Sequence, residues 1–176
     1  MNYIRMAKKY LILCIAALLA ICCDKEDRKN TYANQEALID SYVSSPSSDY
    51  TAVYNEGVVR VILEEGAGTE AANGDSIYFH YSGYVFSRGK GALFATNDEE
   101  VAEEAGFVTD GKAFGTKLGH SALVEGLKKG LEGVKTGERC YIIFSARYGY
   151  GNQTMNTLPK LTPLLFEMKI EKIVKN

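Results

Sequence analysis

Cysteine is scarce in this chain and badly placed for cross-linking. Of its four cysteines, Cys14, Cys22 and Cys23 fall near the N-terminus and only Cys140 lies in the body of the sequence. A single thiol inside the apolar pattern Cys140-Tyr141-Ile142-Ile143-Phe144 is a small hydrophobe, so neither a disulfide framework nor a zinc site is available. Histidine is rarer still. His80 and His120 have no ligand partners at metal-binding spacing, which argues against a metal centre. An excess of one charge is also missing: 20 basic residues stand against 22 acidic ones, for a net charge of −2. Nothing is basic enough to suggest nucleic acid or an anionic lipid surface as partner. The chain also lacks a membrane-spanning run, since the apolar stretch Tyr10–Ile21 is 12 residues long and a bilayer core is ~30 Å thick.

What the N-terminus has is an export pattern. Arg5, Lys8 and Lys9 precede that short apolar run, which ends at Cys22-Cys23 where an ordinary signal peptide would show A-x-A. A cysteine directly after the apolar run resembles the lipobox of bacterial lipoproteins, in which the thiol is acylated and becomes the new N-terminus. Cys22 has Leu19 at minus three but bulky Ile21 at minus one; Cys23 has Ala20 and the smaller Cys22 at those positions. Cys23 is favoured, with Cys22 as the alternative. Asp24-Lys25-Glu26-Asp27 resembles the acidic export tags of some Gram-negative lipoproteins. Residues 1–22 are therefore expected to be a signal peptide, and the mature chain to be lipid-anchored in a bacterial envelope, at the outer membrane on its periplasmic or outer face. Cleavage before Cys23 removes three basic and no acidic residues, leaving 17 against 22, a net charge of −5.

Residues 23–50 read as a tether and short helix. Asp24 to Asn30 is charged and nearly free of apolar side chains, as a solvated tether is. Asn34 to Val43 predicts a helix with Ala37, Leu38, Ser41 and Tyr42 on one face, broken by Ser44-Ser45-Pro46-Ser47-Ser48. It reads as a spacer, with a dimerisation element as the alternative. The domain proper occupies residues 51–176. Alternating β-branched and aromatic residues predict strands at Val58–Leu63, Ile77–Phe86, Arg139–Ala146 and Leu164–Val174. Ser121 fits the N-cap of a short amphipathic helix over Ala122–Leu131, closed by Gly130 and Gly133. The fold class is α+β: a curved antiparallel sheet of about five strands wrapped around one short helix.

Three segments carry the chemistry: Phe79-His80-Tyr81-Ser82-Gly83, then Leu118-Gly119-His120-Ser121-Ala122-Leu123-Val124-Glu125-Gly126-Leu127, then Ala146-Arg147-Tyr148-Gly149-Tyr150-Gly151. In type, order and spacing they resemble the FKBP-type peptidyl-prolyl cis–trans isomerases, over roughly Val58 to Lys172. The resemblance implies an FKBP-like fold and assigns Tyr81, Phe94, Phe114, Val124, Tyr150 and Phe166 as catalytic-pocket residues. It assigns Leu123, Leu127 and Leu158 to substrate binding, with Leu127 in place of the tryptophan that floors the family's pocket and Leu158-Pro159 as its flap. One departure is serious. Where the family usually has an aspartate after the hairpin phenylalanine, this chain has Ala95, which leaves the Tyr81 hydroxyl without its expected partner. An acidic insertion, Thr96–Lys112, separates Phe94 from Phe114 and is expected to lie across the pocket mouth. Its carboxylates lack the alternating spacing and fixed glycine of a calcium loop. Gly66-x-Gly68-x-x-Ala71 matches a dinucleotide fingerprint only loosely and has no βαβ unit around it.

Rotating an X–Pro bond makes and breaks no covalent bond, so the implied reaction needs no base, nucleophile, metal or cofactor. The expected partners are proline-containing unfolded or exported polypeptides, and the family's macrolide inhibitors; the expected role is folding assistance at the envelope. The alternative keeps the fold and pocket but has lost efficient catalysis, and acts as a binding module or holdase. Ala95 is the residue that sustains it.

Overall fold

Val, Ile and aromatic side chains fit a pleated surface. In the computed structural model, which describes residues 25–45, 50–119 and 122–176, they build a single antiparallel sheet. Its seven strands among the described residues are β1 (Thr51–Asn55), β2 (Val58–Glu64), β3 (Ser76–Phe86), β4 (Lys90–Thr96), β5 (Phe114–Lys117), β6 (Arg139–Phe144) and β7 (Leu164–Val174). They lie in the order β1-β2-β6-β7-β3-β4, and β5 pairs with the first half of β3 where β4 pairs with the second. The α+β class is as expected. The extra strands are those with no period-2 signature: a solvent-facing edge (β1), a bulged strand (β4) and a four-residue strand (β5).

Each face of the sheet carries a helix, so β2 is buried at four consecutive positions, Val58 to Val61, rather than alternating. On one face α3 (Glu125–Leu131) packs Leu127 and Leu131 against Val58, Ile142, Phe144 and Met168. Gly126 and Gly130 allow this approach: an added Cβ would lie 2.4 Å from Phe144 and 2.2 Å from Ile142. Gly130 therefore sits inside the helix, not at its end as its sequence context suggests. The helix begins at Glu125 rather than Ala122, capped by Val124 without a side-chain hydrogen bond, and Ser121 lies outside the described residues. Its C-terminal carbonyls are taken by a buried cation. Arg60 donates to Glu132 O (2.7 Å), Gly130 O (3.4 Å) and Gly133 O (3.3 Å), and its Nε lies 3.3 Å from the fully buried Glu138 carboxylate.

The other face is covered by a helix over residues 25–43 (α1), longer than the sequence suggests and running through most of the expected tether. Its packed face is Gln35, Ile39 and the half-buried Tyr42, at i, i+4 and i+7, whereas Ala37, Leu38 and Ser41 are exposed. Ile39 joins Val59, Val61, Ile143 and Leu165, and the Tyr42 ring meets Phe86 edge-on at 5.5 Å. The expectation failed because part of the docking comes from Gln35, a polar residue whose hydrogen bonds an apolar moment does not register.

The acidic insertion forms α2 (Glu99–Ala105), N-capped by Asp98, which accepts from Val101 N, and closed by Gly106 at φ 72°. Asp98 also reaches Lys169 Nζ on β7 at 2.5 Å. Burial alone pushes the Asp98 carboxyl up, but the hydrogen bonds from Lys169 and Val101 outweigh it and hold it below the ordinary carboxylate range.

Candidate functional site

Opposite His80 on β3, where α2 docks, Tyr81 opens onto a cavity of about 340 Å³ on the α3 face. β3 supplies Phe79 and Tyr81, β4 Phe94 and Ala95, β7 Phe166, the chain entering α3 Ala122, Leu123 and Val124, and α3 itself Leu127; Phe114, Tyr150 and Met155 complete the lining. Eight of the nine assigned pocket residues are thus brought together. The ninth, Leu158, is not among the lining residues. It is buried in the core, and its exchange of backbone hydrogen bonds with Met155 (2.8 and 3.1 Å) sets Met155, not itself, at the rim. The acidic insertion contributes no lining residue either, because Asp98, Glu99, Glu100 and Glu103 gather around His80 and Lys169 on the other face.

The aromatic wall depends on a bulge and a glycine. Gly83 pairs with Ala95 and Tyr84 with Leu93, which leaves Phe94 as the extra residue of a β-bulge. Phe94 and Ala95 consequently both face the cavity. Phe94 then meets Phe166 edge-on at 5.6 Å, over Gly83, where an added Cβ would lie 2.7 Å from Phe94 Cζ and 3.0 Å from Phe166 Cε1. Phe166 stacks in turn on Phe144 at 5.9 Å, and Phe79 bridges Tyr81 (6.3 Å) and Phe114 (5.5 Å).

Residues absent from the sequence-derived site hold Tyr81 in place. β3 loses its ladder between β5 and β4, and Asn97 replaces it: Oδ1 accepts from Tyr81 N at 2.6 Å while Nδ2 donates to Phe79 O (3.3 Å) and Lys112 O (2.9 Å). Thr96 Oγ1 donates to Tyr81 O at 2.9 Å. Phe79 was legible as the residue two before Tyr81 on the same strand face. Nothing in the pattern marks Met155, Thr96 or Asn97.

Electrically the cavity is quiet. Among the described residues no lining side chain carries a charge, and the only hydroxyls are those of Tyr81 and Tyr150. Burial, then the neighbouring Tyr81 phenol, pushes the Tyr150 hydroxyl above its ordinary value, so it remains a proton donor throughout the neutral range. Among the described residues neither phenol has a hydrogen-bond partner; Ala95 offers none. The Cys140 thiol is fully buried, and desolvation pushes it far up, out of reach of thiolate chemistry.

A sheet closing on a short helix around an uncharged aromatic cavity is the fold of FKBP domains. The crystal structure of the three FKBP domains of wheat FKBP73 matches it with a TM-score of 0.57 at 20% identity, covering 72% of this chain and 50% of that one. The family of FKBP-type peptidyl-prolyl cis-trans isomerases matches residues 68–171, and the chain belongs to it. FK506-binding protein 1 of Aspergillus oryzae is 26% identical over 120 residues, covering 66% of this chain and 98% of that protein. Rat peptidyl-prolyl cis-trans isomerase FKBP4 is 30% identical over 126 residues, which span 69% of this chain but 24% of the rat protein.

Proposed function

We propose that this protein is a peptidyl-prolyl cis–trans isomerase serving exported polypeptides at a bacterial cell envelope. The observation that carries the catalytic part is the uncharged, aromatic cavity with the Tyr150 hydroxyl free to donate. Resonance holds an amide planar behind a barrier of ~18–20 kcal/mol, and uncatalysed X–Pro exchange takes tens to hundreds of seconds. The planar amide is more charge-separated than the twisted one, so moving it from water into apolar surroundings favours the twisted state. Tyr150 holds one substrate carbonyl and the Val124 N–H, at the start of α3, a second. A factor of ~10⁴ requires about 5.5 kcal/mol, which desolvation of the amide supplies while the two donors hold the substrate in place. The family's macrolides would occupy the same cavity.

Protease-coupled isomerisation of a proline peptide by residues 24–176 tests this. Shortening of the slow phase, most with an apolar residue before proline, is expected. A rate left at the spontaneous value at micromolar protein overturns it. One observation favours a second reading, a binding module or holdase: Ala95 leaves both phenols without a carboxylate partner. Suppressed aggregation of an unfolded client without isomerisation would establish that reading instead.

The envelope location rests on the N-terminal pattern alone, since Cys22 and Cys23 lie outside the described residues. Acylation at Cys23, or failing that Cys22, anchors the chain, and α1 then follows almost directly. Labelling with a clickable fatty acid should vanish in the Cys22→Ser/Cys23→Ser double variant; persistent labelling refutes the anchor.

A further inference from the structure

α1 does more than connect an anchor to a domain. Gln35 is 9% exposed and is not among the cavity's lining residues, yet both ends of its amide are engaged with loops that build the cavity rim. Its Oε1 accepts from Ala146 N at 2.9 Å, and its Nε2 donates to Leu161 O at 2.7 Å. Leu161 N donates to Gly151 O, and Gly151 N to Ala146 O, each at 2.8 Å. These contacts form a closed ring: Gln35, Ala146, Gly151, Leu161 and back to Gln35. Tyr150 lies in the loop that the ring closes on one side, and Met155 in the segment that it closes on the other.

Two further features show that this ring is under demand. Leu161 sits at φ 58°, a left-handed conformation a β-carbon disfavours, so an outside bond must hold it. Beside Gln35, Glu36 Oε1 accepts from Ser145 Oγ at 3.0 Å, so a second α1 side chain grips the chain where it leaves β6. The apolar anchoring of α1 through Ile39 and Tyr42 is a separate contact, on the opposite face of the sheet from the cavity.

We infer that Gln35 is a positioning residue for the pocket: it sets the placement of Tyr150 and Met155, and α1 is part of the peptide-binding unit. This rests on the isomerase reading for its kinetic consequence but not for its structural one. Because Tyr150 holds a carbonyl in both the planar and twisted amide, losing its placement weakens ground state and transition state alike, which is read in KM rather than kcat.

The test is made on the full chain in detergent, with ¹³C-methyl methionine. Met155 reports on the rim, assigned by its loss in Met155→Leu, and the fully buried Met168 is the internal reference. In Gln35→Met the Met155 resonance should shift or broaden while Met168 stays, and KM for a proline peptide should rise roughly five- to tenfold with kcat within about twofold. Gln35→Glu keeps an acceptor for Ala146 N–H but sets a carboxylate against the Leu161 carbonyl. It should displace Met155 with α1 still docked, and it carries the test where Gln35→Met does not fold. An unmoved Met155 in Gln35→Glu, or Met155 and Met168 moving together, overturns the inference. Should the wild-type chain show no isomerisation, the isomerase reading fails by itself; the methionine resonances still decide the role of Gln35.

Discussion

Two glycine-to-alanine changes of equal size separate packing from catalysis. Gly83→Ala places a methyl 2.7 Å from Phe94 Cζ and 3.0 Å from Phe166 Cε1; Gly130→Ala places one 2.2 Å from Ile142, where α3 packs on β6. Carbon atoms rest at about 3.5–4.0 Å, so each methyl forces a displacement on the order of 1 Å. Overpacking of this kind costs about 1–3 kcal/mol, or roughly 3–10 °C in Tm for a chain of this size. The variants differ in what moves. In Gly83→Ala it is the edge-to-face pair of the cavity wall, and a 1 Å misplacement of a catalytic surface can cost ~10²-fold in rate. In Gly130→Ala it is an aliphatic core contact that does not line the cavity. Thermal melts and proline-peptide kinetics on both should give similar Tm losses, with kcat/KM falling ~10- to 100-fold for Gly83→Ala and less than about threefold for Gly130→Ala. Equal activity in the two variants would refute the claim that the Phe94–Phe166 arrangement performs the reaction.

Other perturbations have definite signs. Arg60→Leu strands the buried Glu138 carboxylate and uncaps α3, and should cost about 3–5 kcal/mol by chemical denaturation; Arg60→Leu/Glu138→Leu should recover much of it. Tyr150→Phe removes the free donor and should lower kcat/KM by up to roughly tenfold, whereas Ala95→Asp gives the phenols a partner and should raise it modestly; a loss in Ala95→Asp would mean that the cavity cannot accommodate the carboxylate. The Asp98 carboxyl is held below its unfolded value, so its contribution is present above ~pH 4 and disappears as pH falls through the lowered folded value. Amide exchange in α2 should therefore accelerate below pH 4 before exchange in β7 does, and Asp98→Asn should remove that step.

The sequence alone determined a great deal here, for a physical reason. A pocket made of aromatic side chains on strands is written in the same alternation that makes the strands, so Tyr81, Phe166 and their fold class are read together. The Leu123-Val124 segment that leads into the helix and the Tyr150 loop are equally local. Tertiary structure decided what depends on who faces whom. Phe94 and Ala95 are adjacent on a strand and should point apart; only the bulge opposite Gly83 turns both to the cavity. Gly130 looks like a helix stop until Ile142 is seen against it. Leu158 has the right type and position for a flap but is buried because the turn with Met155 folds it inward. The acidic insertion went to the opposite face because Asp98 finds Lys169 across the sheet, a pairing of residues 71 positions apart. Gln35 is the extreme case: an unremarkable glutamine in a charged helix, whose role exists only because the folded chain brings Ala146 and Leu161, 15 residues apart from each other and more than 100 from it, to either end of one amide.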